Sequence, residues 1–364
     1  MLSLRGNRAL RALDRSGSAF LWAGSHLRRK RPLPSSIRRI GVLKTNAIGD
    51  TVLLSAVLRD LAAARPDAEI TLFVGPVNAP VADLIDGIPA VQLSLTNPAR
   101  SIRLLRERHL DVLLDFGAWP RINAIYAALS GARFTAGFET PGQARHYCFD
   151  QVVRHADDVH ELENFRRLVR VVGVESASTP SVSPSGSTPR EKLPSEPYVV
   201  FHLWPGGLLS ERKEWPQESW RELARRFART GHKIVLTGSE DDRPRADAFQ
   251  VGCNGLGDSI VNAAGDYRFP ELVDLLAGAS CTVSVNTGVM HLAAATGAPT
   301  IGLNGPTAEH RWGPIGPRAR SVNSSFPGSG YLDLGFEYDR GRPDCMLGIS
   351  VDDVEATAQE LIRV

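Results

Sequence analysis

The sequence predicts an α/β protein of two domains, each a parallel sheet covered on both faces by helices. Two observations carry this fold class. Short apolar runs such as Ile40–Leu43 and Asp111–Phe116 alternate with stretches of helical periodicity, the pattern of strands buried on both faces. The alternation stops in a Ser/Pro-rich stretch, 176–197, and then begins again; 364 residues are also more than one core usually holds.

In chain order, folding begins at Ile37. Ile40–Leu43 is a strand, Thr45–Asp50 a polar loop, and Val52–Ala64 a helix closed by Pro66. Ile70–Val74 (strand), Val81–Ile85 (helix), Val91–Leu95 (strand), Ile102–Arg108 (helix), Asp111–Phe116 (strand) and Arg121–Leu129 (helix) complete what is legible of the domain 37–175. Residues 176–197 have the composition of a linker or mobile loop. In the second domain, 198–350, Tyr198–Leu203, Lys233–Gly238 and Ile260–Asn262 read as strands, and Gln217–Arg229, Asp242–Gln250 and Phe269–Ala277 as helices. An amphipathic helix, 351–364, ends the chain and is expected to cross back and tie the halves together.

The second half centres on Cys281–Pro317. There two apolar strands, CTVSV and PTIGL, flank a short helix that starts at Asn286, Thr287 and Gly288. Unpaired N–H groups and the positive end of the helix dipole suit this corner to an anion such as a phosphate. Asn286 or Thr287 can cap the helix, Gly288 leaves room for a ligand, and Met290 and His291 fall on the first turn. Thr307, Arg311 and Trp312 follow in a Gly/Pro-rigid loop that could reach the same crevice. An ordinary capped helix between two strands is the plainer reading of the same residues.

Composition narrows the function classes. A hydrophobic content of 43%, 23% charged residues and a net charge of +2 describe a soluble globular chain with no overall bias toward nucleic acid. The four cysteines are widely spaced, as in reduced thiols of a cytoplasmic protein, and no C-x-x-C or H-E-x-x-H suggests a metal site. No apolar run approaches the roughly 20 residues of a membrane span. Residues 1–36 form a basic leader, with Arg5, Arg8, Arg11, Arg15, Arg28, Arg29, Lys30 and Arg31 against the single acid Asp14. Up to Arg39 this end is either a solvated leader or an amphipathic segment resting on an anionic membrane surface, each nearby basic group adding about 1 kcal/mol.

Three further clusters could carry chemistry. The loop KTNAIGD places Lys44, Asn46 and Asp50 at the carboxyl end of the first strand, the ligand-binding edge of open parallel sheets. Asp50 there is a helix cap or a general base. In HLWPGGLLSERKEWP, Gly206, Gly207 and Ser210 follow a strand, and Lys213 is a solvated lysine or a charge that meets a leaving phosphate. Glu240 and Asp241, after the strand IVLTG, could hold ribose hydroxyls or simply open a helix.

Taken together, GVLKTNAIGDTVLLSAVLRDL, KEWP, GSEDD and SVNTGVMHLAAATGAPTIGLNGPTAEHRWGP resemble glycosyltransferase family 9, the heptosyltransferase family of lipopolysaccharide assembly, over about residues 37–364. The resemblance implies a GT-B fold, two Rossmann-like domains facing across a cleft. It also implies inverting, metal-independent transfer from ADP-L-glycero-D-manno-heptose to a glycan or glycolipid acceptor, without a resident cofactor. By the same resemblance Asp50 is the base, with Lys44 and Asn46 toward the acceptor. Lys213 meets the diphosphate, Glu240 or Asp241 the ribose, and Thr287, Gly288 and His291 the phosphates. The chain departs from the family at Asn286, where relatives often have Asp, and at Leu208 and Leu209, where they often have hydroxyl residues. A nucleotide-sugar isomerase or epimerase on the same fold, and a degenerate nucleotide-sugar-binding protein, are the alternatives. The expected location is cytoplasmic, peripheral at the inner face of the cell membrane.

Overall fold

In the computed structural model, which describes residues 14, 29–94, 96–335, 337–338 and 341–363, the chain divides into two units, Met1–Ser178 and Thr179–Val364. The first holds six parallel strands: β1 (Arg39–Lys44), β2 (Glu69–Val74), β3 (Ala90–Gln92), β4 (Val112–Asp115), β5 (Phe134–Glu139) and β6 (Gln151–Arg154). Their spatial order is β3-β2-β1-β4-β5-β6. Helices α1 (Ile48–Ala64), α2 (Ala79–Ala82), α3 (Pro98–Glu107), α4 (Arg121–Leu129) and α5 (Glu161–Val169) connect or cover them. Because both faces are covered, every residue of β4 is buried and β1 is buried after its first residue. Leu43, Phe73, Leu113, Tyr126 and Phe149 lie in this core.

The second unit repeats the winding. Strands β7 (Tyr198–His202), β8 (Lys233–Thr237), β9 (Ile260–Asn262), β10 (Cys281–Val285), β11 (Thr300–Asn304) and β12 (Ala319–Asn323) lie in the order β12-β11-β10-β7-β8-β9. Its helices are α6 (Gln217–Arg229), α7 (Arg243–Gly252), α8 (Phe269–Gly278), α9 (Gly288–Ala295), α10 (Glu309–Trp312) and α11 (Val351–Arg363). Phe201 of β7 packs 4.9 Å from Trp220 of α6, and Trp220 lies 5.1 Å from Trp215, in a core with Leu236, Val283 and Ile301.

In both units the first strand is central and the chain builds outward first on one side, then on the other. The neighbours β1 and β4, and likewise β7 and β10, are therefore followed by connections that leave in opposite directions. A crevice opens beyond their carboxyl ends, where open α/β sheets bind ligands.

Several expectations change. Helix α1 begins at Ile48 rather than Val52, because Ala47 adopts φ 69° and its carbonyl accepts from Thr51 N (3.1 Å) and Thr51 Oγ1 (2.9 Å). Strands β5, β6 and β12 and helix α5 were not legible. Two of these strands are sheet edges with polar, partly exposed residues, QVVR and ARSVN. Helix α11 buries Val354, Ala358 and Leu361 in the core of the second unit. The basic leader falls outside the described residues except at Asp14 and from Arg29 onward. Asp14 accepts from Ile122 N (3.1 Å) at the start of α4, and Arg31 pairs with Asp150 at 2.9 Å. Among the described residues no helix is long and apolar enough to cross a membrane.

The Ser/Pro stretch is fastened rather than loose. Asp60 of α1 accepts from Ser176 Oγ (2.6 Å), Ala177 N (2.9 Å) and Ser178 N (3.0 Å). Asp274 of α8 accepts from Ser185 Oγ (2.8 Å), Gly186 N (3.0 Å), Thr188 N (3.1 Å) and Thr188 Oγ1 (2.5 Å). Chain interrupted by proline makes no ladder of its own, and carboxylates satisfy its N–H and hydroxyl groups instead. Burial alone would raise the Asp274 carboxyl, but the bonds from Thr188, Gly186 and Ser185 outweigh it and hold the group at about 2.

Asp274→Ala is expected to destabilise the second unit by about 1 to 3 kcal/mol at pH 7 and expose 183–189 to proteolysis. A carboxyl depressed in the folded state contributes stability above its unfolded value near 3.9 and loses it as pH falls. The gap between wild type and variant in urea midpoint should therefore close between about pH 4 and pH 2; a constant gap would remove the ionised staple.

Candidate active site

In the first unit the crevice between β1 and β4 holds a buried chain of charges. Lys44, the last residue of β1, is 1% exposed; its Nζ donates to Asp50 Oδ2 at 2.6 Å and to Phe116 O at 3.3 Å, and lies 5.5 Å from the Phe165 ring centroid. Asp115, the last residue of β4, is fully buried and paired with the equally buried Arg145, and accepts from Gly117 N at 2.9 Å. Asp50 keeps 13% of its side chain exposed and is the rim of this cluster. It occupies the first turn of α1, where the helix dipole favours a carboxylate, but Ala47 is the N-cap and Asp50 caps nothing.

The loop before α1 is held from several sides. Thr45 Oγ1 donates to Asn123 Oδ1 (2.6 Å), and Asn78 Nδ2 donates to Lys44 O and Thr51 Oγ1, both at 2.8 Å. Among the described residues Asn46 Oδ1 is buried and accepts no hydrogen bond. Lys44, expected to face the acceptor, is instead the buried partner that orients Asp50, since an ammonium with almost no exposed surface is spent on the groups around it.

In the second unit the sites read from sequence gather at the carboxyl ends of β7, β8, β10 and β11. Thr287 is the N-cap of α9 (φ −145°, ψ 173°): its Oγ1 accepts from Met290 N at 3.4 Å and lies 3.3 Å from Ser284 Oγ. Thr287 and Gly288 are half-exposed, so the first N–H groups of α9 open toward the crevice between β7 and β10. After β7, Gly206 and Gly207 are exposed, and Gly207 takes φ 108°, a conformation that excludes a side chain. Ser210 opens a single helical turn, Ser210–Lys213, that ends on half-buried Lys213.

After β8, Asp242 Oδ2 accepts from Ser239 N (2.8 Å) and Ser239 Oγ (2.6 Å) and so closes the turn. Glu240 and Asp241 remain exposed beside it. His202, at the end of β7, lies 3.1 Å from Thr237 Oγ1; burial lowers its pKa to about 4, so it is neutral at physiological pH and brings no cation to the crevice.

Two expectations are corrected here. Met290 has no exposed surface and packs its sulfur over Gly302, so it supports β11 from the core rather than lining a ligand site. Arg311 is 2% exposed and bound to Asp333 (2.6 Å), while Trp312 Nε1 donates to Asp333 O (2.8 Å); both brace their own loop. His291 is 5% exposed and Thr307 8%, the latter with Oγ1 3.5 Å from Asn304 Oδ1.

Residues 100–330, well over half of the chain, match glycosyltransferase family 9 (heptosyltransferase). The chain belongs to this family. Lipooligosaccharide heptosyltransferase 2 of Haemophilus influenzae is 29% identical over 172 residues, 47% of each chain. Lipopolysaccharide heptosyltransferase 1 of Pseudomonas aeruginosa is 37% identical over 145 residues, 38% of each. These matches span about half or less of the curated relatives. The structure of E. coli ADP-heptose lps heptosyltransferase II superposes with a TM-score of 0.73 at 19% identity, covering 89% of this chain and 98% of that one. Glycosyl transferase family 9 from Veillonella parvula superposes at 0.72 and 19% identity, covering 90% and 97%. Both likenesses show the fold, the two-sheet GT-B class expected from the sequence.

Within this family 9 protein, sequence reasoning passed over Asp115, Arg145, Asn304 and Asn323. An acid within the apolar run DVLLDF and an amide closing PTIGLN were signals; Arg145 opens a short 3-10 turn, Arg145–Cys148, that has no sequence pattern. Asn304 also explains the departure at Asn286. Asn286 Nδ2 donates to Trp312 O (2.8 Å) and Asn304 Oδ1 (3.2 Å), two acceptors that a carboxylate could not satisfy.

Asn286→Asp is therefore expected to lower stability by about 1 to 3 kcal/mol, the cost of facing a partly buried carboxylate with acceptors. A melting temperature equal to wild type at pH 7 would show that the amide is not used this way.

Proposed function

We propose that the protein is an inverting glycosyltransferase that moves a sugar, a heptose from an ADP-heptose donor, to a hydroxyl of a lipopolysaccharide-type acceptor. The observation that carries this reading is the open N-terminus of α9 at the β7/β10 crevice, flanked by the free-facing carboxylates Glu240 and Asp241 beyond β8. Such an edge fits a nucleoside diphosphate, with phosphates on the helix amides and ribose hydroxyls on the acids. Membership of a heptosyltransferase family and the names of the matched relatives supply the sugar.

In this reading Asp50 takes the proton of the acceptor hydroxyl as its oxygen forms the new bond to the anomeric carbon. The bond from that carbon to the phosphate oxygen breaks with inversion, and its electron pair leaves on the nucleoside diphosphate. Lys213 and the α9 amides stabilise that departing charge, and no resident cofactor takes part. His202 is neutral, so the cations that follow β7 are Arg212 and Lys213, on the turn Ser210–Lys213. Lys44 holds the Asp50 carboxylate in one orientation, so positioning supplies part of the rate. The basic stretch 1–39 would keep the enzyme at the anionic inner surface of the cell membrane, beside a lipid-linked acceptor.

Asp50→Asn, which keeps an oxygen for Lys44, is expected to cut kcat by about 10²- to 10⁴-fold with donor affinity unchanged. Lys213→Ala should cost about 10²- to 10³-fold and weaken ADP binding. Transfer from ADP-heptose to a heptose-deficient lipopolysaccharide core, followed by mass spectrometry, reads both. Full turnover by Asp50→Asn would eliminate the base, and a rearranged sugar nucleotide formed without acceptor would replace transfer by isomerisation.

A further inference from the structure

The carboxyl edge of the second sheet holds a cavity that the proposed reaction leaves unassigned. It lies beyond β11 and β12, has a volume of about 260 Å³, and is walled by Asn304, Thr307, Glu309, His310, Asn323 and Ser329 with the backbone of Gly305 and Gly330. Drug-sized ligands fill clefts of about 300 to 1,000 Å³, so this one is suited to a single ring rather than a whole nucleotide sugar.

Its walls are wired together. Asn286 Nδ2 donates to Asn304 Oδ1 (3.2 Å), Asn304 Nδ2 to Asn323 Oδ1 (3.3 Å), and Asn323 Nδ2 to Glu309 Oε2 (2.7 Å). Each primary amide has two N–H donors and each carboxylate two oxygens. The ladder uses one N–H of Asn304, one of Asn323 and one oxygen of Glu309, and holds all three groups in fixed orientation. What remains is an N–H, a second N–H and a carboxylate oxygen, with the hydroxyls of Thr307 and Ser329 beside them. Alternating donors and acceptors match adjacent hydroxyls of a sugar, each of which both gives and receives a hydrogen bond. Among the described residues no lysine or arginine lines the cavity, and the Glu309 carboxylate opposes a phosphate.

We propose that this cavity is a monosaccharide subsite that holds one neutral pyranose ring of a substrate. The proposal rests on the sugar-transfer reading above and adds a second position to it, two strands along the sheet edge from the diphosphate position at β7/β10. The ring belongs either to the donor sugar or to the acceptor glycan.

Saturation-transfer NMR on the full chain, with methyl α-D-mannopyranoside as probe, tests it beside calorimetry with ADP in the same samples. Transfer to the ring protons is expected in wild type, with affinity about tenfold weaker in Asn323→Leu and reduced in the isosteric Glu309→Gln, while ADP affinity is unchanged. Displacement of the probe by ADP-heptose assigns the subsite to the donor, and displacement by a core oligosaccharide alone assigns it to the acceptor. Displacement by neither, no transfer at all, or equal transfer in wild type and both folded variants overturns the proposal. Pyranose binding without ADP binding would sink the transferase reading and leave the subsite standing; ADP binding without pyranose binding would do the reverse.

Discussion

A parallel sheet wound outward from a central first strand must reverse direction once, and that reversal is the constraint on which the rest of this protein depends. At the reversal two adjacent strands send their connections to opposite faces, so nothing covers the space beyond their carboxyl ends. Both units meet this condition, at β1/β4 and at β7/β10. Each then places its most polar residues at that edge: Lys44, Asp50 and Asp115 in the first, Asn286, Thr287 and His202 in the second.

The two edges solve the cost of burying polar groups differently. In the first unit charges are paired: Lys44 with Asp50, and Asp115 with Arg145. Removing one partner of a buried ion pair typically costs about 3 to 5 kcal/mol, so these residues hold one another in place. Only Asp50 reaches the rim, which leaves one carboxylate presented to solvent by a rigid, charge-balanced base. In the second unit neutral amides do the corresponding work through the ladder from Asn286 to Asn323. A neutral ladder adds no charge beside a helix N-terminus whose own positive field suits an anion.

Ser/Pro chain between the halves illustrates a third use of carboxylates. Asp60 and Asp274 each collect several donors from a stretch that has no ladder of its own. Composition rightly marks this stretch as lacking helix or sheet, but composition carries no information about distant acceptors. The distance in sequence from Asp274 to Thr188 is what hides the fastening.

From sequence alone came the alternation of strands and helices, the Ser/Pro stretch 176–197, a helix start within Asn286–Gly288 and the polar loop that contains Asp50. These follow from periodicity, capping and glycine placement, which act over a few residues. Strands β6 and β12 escaped because edge strands need not be apolar. Only the tertiary structure decided which side chains are spent: that Lys44 is buried against Asp50, that Met290 belongs to the core, that Arg311 braces its own loop, and that Asn286 belongs to an amide ladder. Such partnerships join residues far apart in the chain, and a pairing of that kind is fixed by strand order and packing, which local pattern does not contain.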